Sequence, residues 1–309
     1  MNSGMRQQIR SQTACQLCGS LHWIDREAES RLLRMPAGTL IRTCAECGLS
    51  VRDPLPAAQK LLAAYGADYY HDFQMVGREA PQRLISALPL LEGTTGPGRL
   101  LEIGCGLGAF LLRAKEHGWD AHGVDVSPWA AAQARMVSRA PIHISQAEAL
   151  PYSTGVFDAV VSHHVFEHLA DPIGALRESR RVCRTGGRLL LILPNELRNL
   201  FVRWAIRAQC KLPAGNSPLA SLRRWMTYQT AEAPRDSDHL FFFHPDSLRR
   251  AVDAAGWHTL WLKTFRTRQD TISRYPLGGF LKAGLYALEA WLGRGPEMIL
   301  LAEARRMVS

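Results

Sequence analysis

The stretch Arg99–Phe110, RLLEIGCGLGAF, decides the fold. Its apolar run Leu100–Ile103 reads as a strand, and Gly104, Gly106 and Gly108 then allow a tight turn with close backbone approach to a ligand. The helix that opens at Ala109 offers unpaired N–H groups at its start. Taken alone, the run also satisfies the dinucleotide pattern G-x-G-x-x-A with Ala109 last, so the glycines by themselves leave the ligand open. Glu102, two residues before Gly104, is placed to hold the loop or, through water, an amino group; beside a pyrophosphate it is an odd neighbour. Asp125 ends the next strand, in HGVDVSPWA, where it can accept both hydroxyls of a ribose while Val126 packs on an adenine. Cys105 lies inside the loop, where its backbone matters more than its sulfur.

Around this stretch, short apolar runs alternate with amphipathic helices from Arg99 to Pro194, the pattern of a parallel sheet covered on both faces. Strands are expected at Leu100–Ile103, Ala121–Val124, Pro141–Ile144, Ala159–Ser162 and Leu189–Leu193. A basic helical insertion over about 197–238, its helix near Leu197–Lys211, interrupts the rhythm. It resumes with a helix at Pro245–Ala255, a strand at His258–Phe265, a helix near Leu277–Trp291 and a strand at Met298–Ala304. The expectation is an α/β domain over 99–309 with a doubly wound seven-stranded sheet.

Four further motifs follow in order: Gln146–Pro151 (QAEALP), Phe157–Val161 (FDAVV), His164–His168 (HVFEH) and Thr185–Leu190 (TGGRLL). In this combination the sequence resembles the class I S-adenosylmethionine-dependent methyltransferases, especially their small-molecule group. The resemblance implies a Rossmann-like sheet whose last strand is antiparallel, with S-adenosyl-L-methionine at the carboxyl ends of the first strands. It implies Glu102, Gly104, Cys105, Gly106, Gly108, Asp125, Val126, Gln146 and Ala147 as the cofactor-binding residues. Gln146 departs from the family's usual acid, though its amide oxygen still accepts a hydrogen bond from the adenine amino group.

The N-terminal block, 1–56, carries Cys15-x2-Cys18 and Cys44-x2-Cys47, each pair followed by glycine. Four thiolates so presented satisfy tetrahedral zinc and leave it no open position, which predicts a structural zinc-ribbon-like module; redox use is the alternative. Cys183 and Cys210 are expected to pack against helices. Residues 57–98 read as a helical linker or lid: Leu61, Leu62 and Tyr65 recur at helical spacing, as do Leu84, Ala87, Leu88 and Leu91, before the turn-rich EGTTGPG. Leu49–Pro56 with Tyr65, Tyr69 and Tyr70 resembles the leader of methyltransferases that act on sugars and secondary metabolites.

Methyl transfer to a hydroxyl needs alignment, desolvation and removal of a proton. His163 and His164, just past the fourth strand, are candidate bases, since imidazole titrates near neutrality. His239, in the aromatic stretch DHLFFFHP, is a further candidate. His164-x-x-Glu167-His168 also has the spacing of three metal ligands, with packing as the competing use.

The composition is ordinary for a globular protein, 47% hydrophobic and 21% charged, and excludes disordered and fibrous classes. No apolar run reaches the roughly 18 residues of a bilayer span, and the first thirty residues lack a signal-like core, so the cytoplasm is the expected compartment. Arg177–Thr230 holds eleven Lys or Arg against Glu178 and Glu196, an excess equal to the whole net charge of +9. A solvated basic face competes there with a site for an anionic substrate, RNA or the inner membrane surface.

The expected acceptor is a sugar, nucleotide-sugar or secondary-metabolite hydroxyl. Alternatives are peripheral membrane contact with a lipid-linked or quinone substrate, an RNA base, and a non-enzymatic zinc-ribbon adaptor with an inactive domain. RNA is disfavoured because no N/D-P-P-Y run follows the fourth strand and the basic excess lies outside the cysteine module.

Overall fold

A computed structural model describes residues 13–57, 61, 65–66, 69, 82–92, 96–198, 238–265, 292 and 294–305. Most of the basic insertion, the expected helix at Leu277–Trp291, and Leu62, Tyr70 and Cys210 lie outside the described residues. Among the described residues no helix is long and apolar enough to cross a membrane.

The chain opens with β1 (Trp23–Asp25), α1 (Glu27–Leu32), β2 (Leu40–Cys44) and β3 (Ser50–Asp53). Then come α2 (Gln82–Leu91), β4 (Arg99–Ile103), α3 (Ala109–Glu116), β5 (Asp120–Asp125), α4 (Pro128–Ser138) and β6 (Ile142–Ile144). They are followed by β7 (Phe157–His163), a 3-10 turn (Phe166–His168), α5 (Pro172–Val182) and β8 (Cys183–Pro194). The last elements are β9 (Phe241–Phe242), α6 (Pro245–Ala254), β10 (Trp257–Phe265) and β11 (Glu297–Ala304).

Seven strands, the number expected, form one sheet in the order β10-β11-β8-β7-β4-β5-β6. Neighbours from β8 to β6 are parallel, whereas β11 is antiparallel to both β8 and β10. Parallel strands bury both faces and therefore read as continuous hydrophobic runs. Here the alternation distributes them: Leu101, Ile103, Val160, Leu189 and Leu191 enter one core with α5 and α6, through Ile173, Leu176, Leu248 and Val252. Leu100, Ala159, Val161, Leu190 and Ile192 enter the other with α2, α3 and α4, through Leu88, Leu111 and Ala131. This is the three-layer, doubly wound arrangement.

Two details differ from the sequence reading. The fifth strand starts at Cys183 rather than Leu189, so Cys183 is both the C-cap of α5 and the first residue of β8, and it is buried in the core that α5 and α6 cover. The cysteine block also does not close on itself: its sheet runs β1-β2-β3-β9 and takes the fourth strand from Phe241–Phe242. Ser50 and Val51 pair there with Phe242 and Phe241. Cys15, Cys44, Cys47 and Leu49 are buried in the same core as α5 and α6.

Candidate functional site

The loop between β4 and α3 has all three glycines at positive φ: 72° at Gly104, 49° at Gly106 and 80° at Gly108. A Cβ on Gly108 would stand 2.9 Å from the Ala134 Cα, so this glycine lets α3 and α4 approach. A Cβ on Gly106 would meet nothing within 4 Å, which leaves that face open to a ligand. Gly108 is the N-cap of α3 and makes no side-chain cap, so the first N–H groups of the helix have no side-chain acceptor there.

A cavity of about 480 Å³ opens beside this loop. Glu102, Gly104, Cys105, Gly106, Asp125, Val126, Gln146 and Ala147 line it; of the residues expected there, Gly108 alone stands behind the wall. Asp125 is nearly buried and accepts the Gly106 N–H with Oδ2 and the Ser127 N–H with Oδ1, each at 2.9 Å. Its carboxylate thereby shapes the loop and lies on the cavity wall. Glu102 is buried, and its Oε2 has no hydrogen-bond partner. Burial, helped by the charge of Asp125, pushes the Glu102 carboxyl well above its ordinary pKa. A cationic ligand beside these two carboxyl groups would favour their charged forms.

At the carboxyl end of β7 the cavity is lined by His163, His164, Val165 and His168, and Leu61, Tyr65 and Tyr69 line it as well. His163 is the last residue of β7, and its ring lies edge-on to His164 at 4.4 Å between centroids. His164 adopts φ 53°, a left-handed conformation uncommon outside glycine and enriched at functional sites. Its Nδ1 lies 3.0 Å from Oε1 of Glu167, which is fully buried. Burial opposes charge on both groups, but their mutual attraction outweighs it: the His164 pKa rises and that of Glu167 falls to about 2. His168 is held down mainly by burial.

His239 does not line the cavity. It stands behind His168, with ring centroids 4.7 Å apart, and its Nδ1 lies 2.9 Å from Oε2 of Glu196. Burial works against a charged His239, yet Glu196 more than compensates and raises its pKa to about 9. Glu196 was not singled out from sequence. Its position just past the carboxyl end of β8, where ligands gather in open α/β sheets, is the signal that identifies it.

The four cysteines Cys15, Cys18, Cys44 and Cys47 bring their sulfurs within 4.8 Å of one another. Cys15 and Cys47 are 3.5 Å apart, as are Cys18 and Cys44, and all four are free thiols. A tetrahedron with Zn–S bonds of about 2.3 Å has S–S edges of roughly 3.8 Å, so the donor set fits zinc. Gly19 and Gly48 turn at φ 74° and 76°, each directly after a knuckle.

A family profile described as "Methyltransferase domain" matches residues 76–261. The chain is 33% identical over 105 residues to ajmaline N-methyltransferase of Rauvolfia serpentina, a match covering 31% of this chain and 36% of that protein. It is 29% identical over 202 residues to malonyl-[acyl-carrier protein] O-methyltransferase of Geobacter sulfurreducens, covering 63% of this chain and 68% of that one. The match thus spans about a third of the first relative's length and two thirds of the second's. Among solved structures, phosphoethanolamine N-methyltransferase 2 of Haemonchus contortus in complex with S-adenosyl-L-methionine superposes with TM-score 0.52 at 14% identity, over 83% of this chain and 62% of that one.

Proposed function

We propose, because this chain belongs to the methyltransferase-domain family, that it is an S-adenosylmethionine-dependent enzyme methylating a hydroxyl group of a small molecule. The observation that carries the acceptor chemistry is His164: strained backbone, a place on the cavity wall, and Nδ1 engaged by a fully buried carboxylate.

The site fits the cofactor. Its ammonium and sulfonium charges answer the orphaned Glu102 Oε2 and the neighbouring Asp125, and the open face of Gly106 admits close approach. Asp125 would accept from the ribose, with Val126, Gln146 and Ala147 around the base. When bound, the cofactor supplies a methyl group on a positively charged sulfur that departs as a neutral thioether.

Glu167 fixes the ring of His164 through Nδ1 and leaves Nε2 as the nitrogen able to accept a proton. Nε2 of His164 would take the proton of the acceptor hydroxyl as that oxygen is methylated. Glu167 stabilises the resulting imidazolium. Tyr65 and Tyr69, in edge contact at 5.0 Å, supply apolar wall and exclude water at this end. Cys15, Cys18, Cys44 and Cys47 would hold a structural zinc ion that takes no part in the transfer.

The test is transfer of label from methyl-tritiated S-adenosylmethionine into a fractionated cell extract. Label in a low-molecular-weight product stable to mild base, as an ether is, supports the reading. Label recovered only in RNA or protein, or as base-labile ester, refutes it.

A further inference from the structure

We infer that Glu167, His168 and His239 form a binding site for one divalent transition-metal ion, distinct from the four-cysteine site. The inference rests on the proposed function only for its setting beside the acceptor end of the cavity.

Four observations carry it. First, one carboxylate oxygen and one nitrogen from each imidazole lie within 4.8 Å of one another, close enough to share an ion whose bonds are about 2.0–2.2 Å long. Second, Glu167 is fully buried, yet its Oε2 has no partner, while Oε1 is taken by His164. A buried carboxylate oxygen without a donor is costly, and a cation bonded to it removes that cost.

Third, each imidazole has a carboxylate near its Nδ1, hydrogen-bonded at His239 and at ion-pair distance only at His168. Glu196 Oε2 is 2.9 Å from Nδ1 of His239, and Asp238 Oδ2 is 3.5 Å from Nδ1 of His168. The Nε2 of His168 is turned toward Glu167, 4.0 Å from Oε1. A carboxylate behind the non-ligating nitrogen orients metal-bound histidines and raises their basicity. Fourth, the ligand-bearing segments are already tied together, since the Leu240 N–H donates to the Glu167 carbonyl at 2.8 Å.

Two imidazoles and one carboxylate suit zinc, iron, cobalt or manganese, and three protein ligands leave open positions, unlike the closed cysteine site. His168 lines the cavity, so the ion would stand immediately behind its wall and lock the turn Phe166–His168 to the segment before α6. Oε1 of Glu167 stays with His164, and the two uses of this residue are compatible.

The test titrates Co2+ into the full-length protein after its cysteine module has been filled with zinc, read by calorimetry and visible absorption. One further equivalent of Co2+ is expected, with ligand-field bands and without thiolate charge transfer. It should be lost in Glu167→Gln and His239→Ala, and weakened about 10–100-fold in Glu196→Gln. S-adenosylhomocysteine affinity, measured on the same samples, reports both on folding and, separately, on the cofactor reading. Should a variant fail to fold, Mn2+ added to the wild type must broaden the imidazole NMR signals of His168 and His239 before those of the exposed His22 and His258. No second equivalent in the wild type, a second equivalent that survives both ligand substitutions, or uniform histidine broadening overturns the proposal and leaves the cluster a hydrogen-bonded ion-pair network.

Discussion

His244 and Gly48, 196 residues apart in sequence, are joined by a hydrogen bond of 3.0 Å from Nε2 to the carbonyl oxygen. Nδ1 of the same ring accepts the Ser247 backbone N–H and caps α6. Together the two bonds require the neutral Nε2–H tautomer. A second proton on Nδ1 would destroy the cap and put positive charge at the positive end of a helix.

This predicts a pH effect on stability. Burial, with the charge of Arg198 pushing the same way, lowers the His244 pKa from 6.5 to about 4. The unfolded chain therefore binds the proton first. The contribution is complete above pH 6.5 and is lost as pH falls from 6.5 toward 4, by about 2 kcal/mol at pH 5. Urea midpoints at pH 7.5 and 5.0 should fall less in His244→Gln than in the wild type; equal falls would exclude His244 as the cause.

Asp125 carries two loads, the loop amides of Gly106 and Ser127 and the proposed ribose bonds. Charge-assisted bonds are worth about 1.5–3 kcal/mol each. Asp125→Ala should thus weaken S-adenosylhomocysteine binding by about a hundredfold or more, and Asp125→Asn by less, as read by calorimetry. Wild-type protein that ignores this ligand and binds NAD would reverse the cofactor assignment.

Gly106 and Gly108 should respond to alanine in different ways. Gly108→Ala forces a Cβ to 2.9 Å from Ala134 at φ 80°, and should cost about 1–3 kcal/mol in thermal unfolding. At Gly106 the added methyl meets no protein atom within 4 Å. The larger effect there should be on cofactor affinity; a Gly106→Ala protein with unchanged affinity would show that the ligand does not approach this face.

The first equivalent of zinc added to metal-free protein is expected to enter the four-thiolate site. Cys44→Ser should release it and remove amide protection along Ser50–Asp53, with the loss spreading to Phe241–Phe242 because those strands are paired. A metal-free wild type with full protection in this sheet would contradict the zinc assignment.

His164→Gln should leave S-adenosylhomocysteine affinity intact while lowering kcat about a hundredfold to ten-thousandfold, the usual contribution of a positioned base. The same change at His163 should cost much less, because the Glu167 hydrogen bond belongs to His164. Equal kcat in both single variants and the wild type would remove these histidines from the chemistry.

Much of this was legible in sequence because local physics dictates it. Leu100–Ile103 must be a buried strand and Gly104–Gly108 a left-handed loop whatever surrounds them, so the cofactor end could be read directly. The cysteine spacing likewise encodes its own geometry. What could not be read was contact between distant segments. Nothing near His239 in sequence names Glu196 as its partner, and nothing in His164-x-x-Glu167-His168 tells that His164 turns to the cavity while His239 joins the other two. A two-residue strand at Phe241–Phe242 is also too short for periodicity to reveal, and looks like core packing until β3 is laid beside it.

That late strand has a consequence for biosynthesis. β3 leaves the ribosome early, but the edge it offers to β9 stays bare until the chain near His244 has emerged, 196 residues after Gly48. At about 5–20 residues per second this is a wait of roughly 10–40 s. Throughout that interval the nascent N-terminal sheet presents an unpaired edge, the feature most prone to wrong pairing with other chains. Early capture of metal by the cysteines would be the available means of holding the module in shape while its last strand is still being made.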